Sequence, residues 1–316
     1  MALILPKIVF ILGKGGVGRS TVSAALGMEL ARRGDRTLVF GWTVSDPINP
    51  WFGLPPAGLT PSELSARLSV GNYGLDQTLK LYFVEHLKLP RFYKHVINGV
   101  HVRRLIEAAP GIGELFFIGH LWWLSTLAGA EAGLHFDRIV VDAPATGHGA
   151  SLFDLPAVLS SLQATGLLGV EAERVIGMMS DPMRTGAFVV SLPEELAAEE
   201  TVELVPRLTQ RMSRPPLGVF VNRSVTGTIT SREEPGSPES LAAQLSPASR
   251  THLDGVYGEL QGRAGFERAL CKVLQGTTRH GVLPLTEQLF GTRAHHPRDI
   301  VHSLATEIRA HLDGLA

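Results

Sequence analysis

Short runs of consecutive apolar residues alternate along this chain with segments whose apolar positions recur every three or four residues. The runs lie at Ile8–Leu12, Thr37–Gly41, Arg138–Asp142, Ala187–Ser191 and Gly218–Asn222. Unbroken rather than alternating hydrophobicity suits strands buried on both faces, so the pattern predicts an α/β fold with a doubly wound, mostly parallel sheet. Leu68–Val70 and Gly281–Pro284 read as further short strands. In such a sheet a ligand belongs outside the carboxyl ends of the strands.

Between Asp76 and Leu134 the strand signal fades. Helical spacing takes over at Leu79, Phe83 and Leu87, then at Val102, Leu105 and Ile106, then in the apolar window Leu115–Ala130. That window contains His120 and, at about sixteen residues, is too short to span a bilayer, so it predicts a buried or groove-lining helix. Residues 151–184 continue the pattern with Leu152, Leu155, Val158, Leu159 and Leu162, ahead of Met178 and Met179. The two stretches, about 76–134 and 151–184, predict a helical subdomain inserted into a single domain of residues 1–316. Ser224–Ser249 is rich in Ser, Thr, Pro, Gly and Glu without apolar periodicity, and predicts a flexible surface loop over 224–249. Ile300, Leu304, Ile308 and Leu312 form one apolar stripe on a terminal helix whose opposite face is mixed in charge, which suits packing on the sheet rather than on a membrane.

Composition adds little to this picture and removes some possibilities. At 316 residues, 44% hydrophobic and 19% charged, the chain has ample material for a large core. A net charge of −1 gives no global case for a nucleic-acid or anionic-membrane surface, so any such partner has to be read locally, and none is expected for nucleic acid. Cys271 is the only cysteine, which excludes an intramolecular disulfide. The segment Met1–Leu12 leads directly into a glycine-rich turn without a cleavable signal pattern, and the expected location is the cytoplasm.

The chemistry concentrates in Gly13-Lys14-Gly15-Gly16-Val17-Gly18-Arg19-Ser20-Thr21, between an apolar run and a helical pattern. A buried strand ending in such a turn aims successive backbone N–H groups and a helix N-terminus at one point, where a polyphosphate can sit. Asp142 ends another apolar run, where a carboxylate can hold Mg²⁺ together with the Ser20 hydroxyl, and Thr21 falls near the α-phosphate. Lys14, directly after the first glycine, resembles the early lysine of the deviant Walker A motif, K-G-G-x-G-K-[ST], of partition, nitrogenase-iron-protein and arsenite-pump-type ATPases. The resemblance implies that Lys14 reaches across a dimer to the partner's nucleotide. The usual lysine before Ser/Thr is Arg19, a wide planar fork in place of a slim ammonium, which favours nucleotide binding over fast hydrolysis.

Asp142-Ala143-Pro144-Ala145-Thr146-Gly147-His148 resembles the D-T-A-P-T-G-H switch II of the arsenite-pump and tail-anchored-protein-targeting ATPases, with Asp-to-His spacing kept. Ser45-Asp46-Pro47 resembles that family's S-T-D-P-A-H switch I, in which the aspartate positions the attacking water, although Ile48-Asn49 replaces Ala-His. Asp-Pro by itself is more often an ordinary turn, and only its register after the second strand lifts Asp46. Ala187–Val190 with Pro193-Glu194 is similar to the family's F-V-x-V-x-x-P-E segment. Val219–Arg223 is similar to its V-V-N-[QR] strand end, and Pro284 to the proline of its adenine-side loop. Asn222 would then read adenine, since an amide offers both donor and acceptor. The resemblance runs from about residue 7 to about residue 291. With one cysteine, the chain lacks the family's interface zinc pair and a thiolate trio for arsenite. His120, His135 and His295-His296 are scattered and read as solvated or core histidines.

The resemblance implies a P-loop NTPase that takes ATP/ADP and Mg²⁺ as a homodimer, or as a heterodimer with a paralogous ATPase. Backbone amides from Gly15 through Gly16, Val17, Gly18 and Arg19 to Ser20 would cradle phosphates, and Lys14 and Asp46 would be the catalytic pair. A hydrophobic helical client or membrane-associated protein is open, using Leu115–Ile118, Leu121–Leu124 and Met178-Met179, unless those side chains are core. A catalytically impaired nucleotide switch, motivated by Arg19, is the alternative.

Overall fold

All five apolar runs are strands, and nearly every side chain in them is buried. The structure, a computed structural model, describes residues 5–86, 88–108, 111–126, 129, 133–144, 146–161, 166–226, 246–287 and 296–315, with backbone alone at 86, 105, 107, 108, 146–148, 166–168, 171 and 253. Eight strands form one sheet: β1 (Ile8–Gly13), β2 (Thr37–Gly41), β3 (Ser62–Ser65), β4 (Leu68–Asn72), β5 (Arg138–Asp142), β6 (Thr185–Ser191), β7 (Gly218–Ser224) and β8 (Val282–Thr286). Their order is β3-β4-β2-β5-β1-β6-β7-β8, and every pair is parallel except β3 with β4. β3 was not expected. Its sequence Ser-Glu-Leu-Ser carries one apolar residue, enough for an antiparallel edge strand, half-exposed, that returns along β4.

The helices are α1 (Arg19–Arg32), α2 (Ile48–Trp51), α3 (Leu75–Lys80), α4 (Val100–Ala108), α5 (Ile112–Leu124), α6 (Thr146–Ser151), α7 (Leu155–Ser161), α8 (Gly166–Ser180), α9 (Glu195–Met212), α10 (Pro247–Leu274) and α11 (Pro297–Gly314), with irregular helical turns between α3 and α4. Because side chains alternate across a strand, β1 serves two cores. Ile8, Phe10 and Leu12 face α5, α8 and α9, whereas Val9 and Ile11 face α1 and α11. The terminal stripe packs as expected, with Leu304, Ile308 and Leu312 buried against α1.

Much of the apolar 115–130 window is core. Phe117, Ile118, Leu121 and Leu124 are buried on α5, and Phe117 stacks on Phe40 of β2 with ring centroids 6.0 Å apart. Met178 and Met179 join the same cluster, while Leu115, Phe116, Trp122 and Trp123 are only partly buried against it. Of the two uses open to these residues, packing accounts for the six buried ones. The predicted loop 224–249 lies mostly outside the described residues; its ends are strand at Ser224 and helix from Pro247. His295 is also outside them.

One buried charge ties the two helices of the α1 face together. The Glu29 carboxylate, fully buried, accepts from Arg33 Nε at 2.9 Å and Arg309 Nε at 3.0 Å. Removing the acid takes a partner from both guanidinium groups, of which Arg33 keeps Asp313, and opens a void between α1 and α11. Glu29→Ala is expected to lower the melting temperature by roughly 5 °C or more. A calorimetric scan showing no change would mean that α11 is held by its apolar stripe alone.

Candidate functional site

The glycine-rich turn is braced from behind and open in front. β1 ends at Gly13, with φ of 149°, where a Cβ would lie 2.4 Å from the Val190 carbonyl oxygen of β6. At Gly18, with φ of 91°, a Cβ would lie 2.3 Å from Asn222 Nδ2. Only glycine meets both the backbone angle and the close approach. On the outer side, nothing among the described residues stands within 4 Å of where a Cβ of Gly15 or Gly16 would be. This is the shape of a cradle with its floor fixed and its mouth free.

α1 starts on Gly18 with no side-chain cap, and the N–H of Val22 is the first to return to the Gly18 carbonyl, at 3.0 Å. The N–H groups of Arg19, Ser20 and Thr21 therefore have no partner within the helix, and they carry the positive end of its dipole. Thr21 is half-buried on this first turn.

Parallel pairing sets Asp142 beside the turn: it aligns with Ile11 of β1 and Gly41 of β2. The Ser20 hydroxyl donates to Asp142 Oδ2 at 2.6 Å. Burial pushes the Asp142 carboxyl up from the ordinary carboxylate range, and nearby Asp46 adds to this, while the Ser20 hydrogen bond and the Arg19 charge oppose it. A buried carboxylate beside a hydroxyl is a hard-oxygen pair suited to Mg²⁺, so the residues present fit the metal. Arg19 turns its fork sideways: Nη1 donates to the Ala143 carbonyl at 2.7 Å, and burial lowers the pKa of the guanidinium.

Three other nominated residues are engaged locally. Lys14 Nζ pairs with Glu200 Oε1 of α9 at 2.8 Å, the two side chains being 33% and 39% exposed. Asp46 is buried and its carboxylate accepts from three backbone amides, Ile48 at 2.8 Å, Ala57 at 2.9 Å and Asn49 at 3.3 Å, which caps α2 and pins the loop after β2. Asn222 donates from Nδ2 to the Val17 carbonyl at 2.9 Å and accepts at Oδ1 from the Arg223 N–H at 3.0 Å. It braces the glycine-rich turn through Val17, itself buried.

Pro284 lies apart from these, within β8 rather than in a loop. It pairs opposite Val221 on the sheet's last strand, where a missing N–H costs no ladder bond if it faces outward. Of the switch II resemblance, Asp142, Ala143 and Pro144 are described; Ala145 and the side chains of Thr146 and His148 are outside the described residues, and α6 carries the backbone from Thr146.

Two contributors were missed from sequence. Glu200, the partner of Lys14, lies one and a half turns into α9; only the Pro193-Glu194 segment marks that helix, and nothing singles out this acid among Glu195, Glu199, Glu200 and Glu203. Asn72 at the end of β4 holds the start of the Thr43–Pro47 segment, with Oδ1 accepting from Thr43 N at 3.2 Å and Nδ2 donating to the Thr43 carbonyl at 2.9 Å. A polar residue closing an apolar strand at the ligand end was the available signal.

Comparison with known proteins finds a family model and several relatives. The model of a family described as anion-transporting ATPases matches residues 6–171. A Mycobacterium tuberculosis protein called ATPase BagA is 29% identical over 226 residues, covering 69% of this chain and 65% of the relative. The chain thus spans just under two thirds of that relative's length. A Paramecium tetraurelia protein, ATPase ASNA1 homolog 1, is 24% identical over 243 residues, 65% of this chain and 71% of its own. The arsenical pump-driving ATPase of Acidiphilium multivorum is 24% identical over 234 residues, 65% of this chain and 37% of its own.

Proposed function

The chain belongs to the anion-transporting ATPase family, and from that premise we propose that it binds MgATP, hydrolyses it, and works as a dimer whose arrangement follows the nucleotide. The observation that carries the reading is the Ser20–Asp142 contact of 2.6 Å beside an open glycine cradle. When bound, Mg²⁺ would neutralise charge on the phosphates and fix their orientation. Ser20 and Asp142 would hold it, and the N–H groups from Gly15 to Ser20 would grip phosphate oxygens. Asp46 would orient the attacking water, which requires one carboxylate lone pair beyond those given to its backbone amides. Asn222 would present the adenine side through the loop it braces. ATP turnover and nucleotide affinity of the purified protein test the proposal directly; no nucleotide binding with Mg²⁺ would end it.

The same family membership leaves the product of each cycle open, and the reading does not extend to a hydrophobic client, because six of the side chains nominated for its groove are core. One observation favours a second reading, a nucleotide switch with little turnover. Arg19 Nη1 is held by the Ala143 carbonyl, and a planar fork tethered there follows charge moving onto a leaving phosphate less readily than a slim ammonium. Arg19→Lys is expected to raise turnover about tenfold while leaving nucleotide affinity within a few-fold. Unchanged turnover in that variant would show that the arginine is not what limits the reaction.

A further inference from the structure

We propose that the irregular helical segment from Lys88 to Arg104 is a docking surface for an anionic lipid bilayer. Leu89, Phe92, Val96 and Val100 are 46%, 44%, 39% and 62% exposed. They fall within twelve residues, across a short helix, irregular helical turns and the start of α4. Nowhere else among the described residues do four large apolar side chains lie exposed within so short a span. Four exposed large apolar side chains in so short a span mark an interaction surface rather than scattered exposure.

The charges around these side chains choose the partner. From residue 86 to residue 106 the sequence has Lys88, Arg91, Lys94, Arg103 and Arg104 and no Asp or Glu, in a chain whose net charge is −1. Arg103 is paired with Asp76. Among the described residues Lys88, Arg91, Lys94 and Arg104 are in no ion pair, and all four are exposed. A purely apolar protein helix would cover the apolar side chains and leave these cations without use. The headgroup layer of an anionic bilayer satisfies both, with apolar side chains at the acyl boundary and cations among the phosphates. No helix among the described residues is long and apolar enough to cross a membrane, so the contact is a surface one.

The segment is held firmly enough to act as one unit. Lys88, at φ of 56°, turns the chain out of the preceding helical turn, and the Leu89 N–H returns to the Phe83 carbonyl at 2.8 Å. Phe92 keeps one edge against Phe83, with ring centroids 5.8 Å apart, and Ile97 is buried beneath. The exposed side chains are therefore presented by anchored residues, without requiring nucleotide.

The test is co-sedimentation of the full chain with vesicles of phosphatidylcholine alone and of phosphatidylcholine containing phosphatidylglycerol, with and without MgATP. Each cation near an anionic surface contributes about fivefold in affinity. Binding should favour the anionic vesicles and weaken with salt, and replacing Lys88, Arg91 and Lys94 together by Gln should lower it roughly a hundredfold. Leu89→Ser with Val100→Ser should weaken binding about tenfold while keeping the lipid preference. ATP turnover by both variants should match the unmodified protein, which separates this proposal from the nucleotide site. No sedimentation, equal binding to both vesicles, or undiminished binding by the Gln variant would overturn it. Capture of an apolar transmembrane peptide without vesicle binding would also overturn it, in favour of a protein partner.

Discussion

Replacing Asp142 by Asn is expected to lower ATP turnover by about a hundredfold or more, and to raise the melting temperature by about 2 °C. The two effects have one cause. The carboxylate is 2% exposed, with Asp46 nearby and one hydroxyl as its hydrogen-bond donor. Holding a charge there without a cation destabilises the fold, and Asn removes the charge while keeping an oxygen for Ser20. The same charge is what would hold Mg²⁺, so its loss removes the hard ligand at the strand end. Activity and stability should move in opposite directions, a trade expected of a residue kept for chemistry. Phosphate release and a thermal scan on the same sample check both. A variant that keeps turnover within threefold, or that melts lower than the parent, would place the metal elsewhere or make Asp142 a structural residue.

The apolar strands were legible because burial on both faces leaves no room for polar residues: Ile8, Val9, Phe10, Ile11 and Leu12 are all fully buried. The ligand end was legible for a related reason, since Gly13 and Asp142 each interrupt such a run where the sheet stops. β3 was not, because one leucine among serines and a glutamate has no period to detect. Within the site, residue type announced Lys14, Asp46 and Asn222 as candidates, but not what each holds. Asp46 meets the amides of Ile48, Asn49 and Ala57 only because the chain after β2 folds back on itself. Likewise Lys14 meets Glu200 through the packing of α9 beside β1, a contact between residues nearly two hundred positions apart. Sequence pattern records what a residue must be surrounded by, and loses most of the information on which polar atom it faces. The basic segment of 88–104 illustrates the converse. Its run of cations without an acid is present in the sequence but averages out over the chain, and only exposure shows that the cations and four apolar side chains share one surface segment.

Lys14→Ala is expected to reduce turnover by about a hundredfold with nucleotide affinity of the single subunit nearly unchanged. In the proposed dimer, Lys14 supplies charge to the partner's site, so truncation removes stabilisation of the reaction and not of ground-state binding. In the structure, however, Lys14 is committed to Glu200 at 2.8 Å within one subunit. An ion pair at that degree of exposure contributes less than about 1 kcal/mol, so it can hold the lysine in a lone subunit yet yield to a triphosphate. Glu200→Gln should then tighten nucleotide-driven association up to about fivefold, with turnover equal to or above that of the parent. The double variant should behave as Lys14→Ala alone, because the acid acts only through the lysine. Sedimentation across protein concentration, with and without MgATP, reads association, and phosphate release reads turnover. If Glu200→Gln instead loses as much activity as Lys14→Ala, the pair works intact within one subunit, and the lysine does not cross the interface.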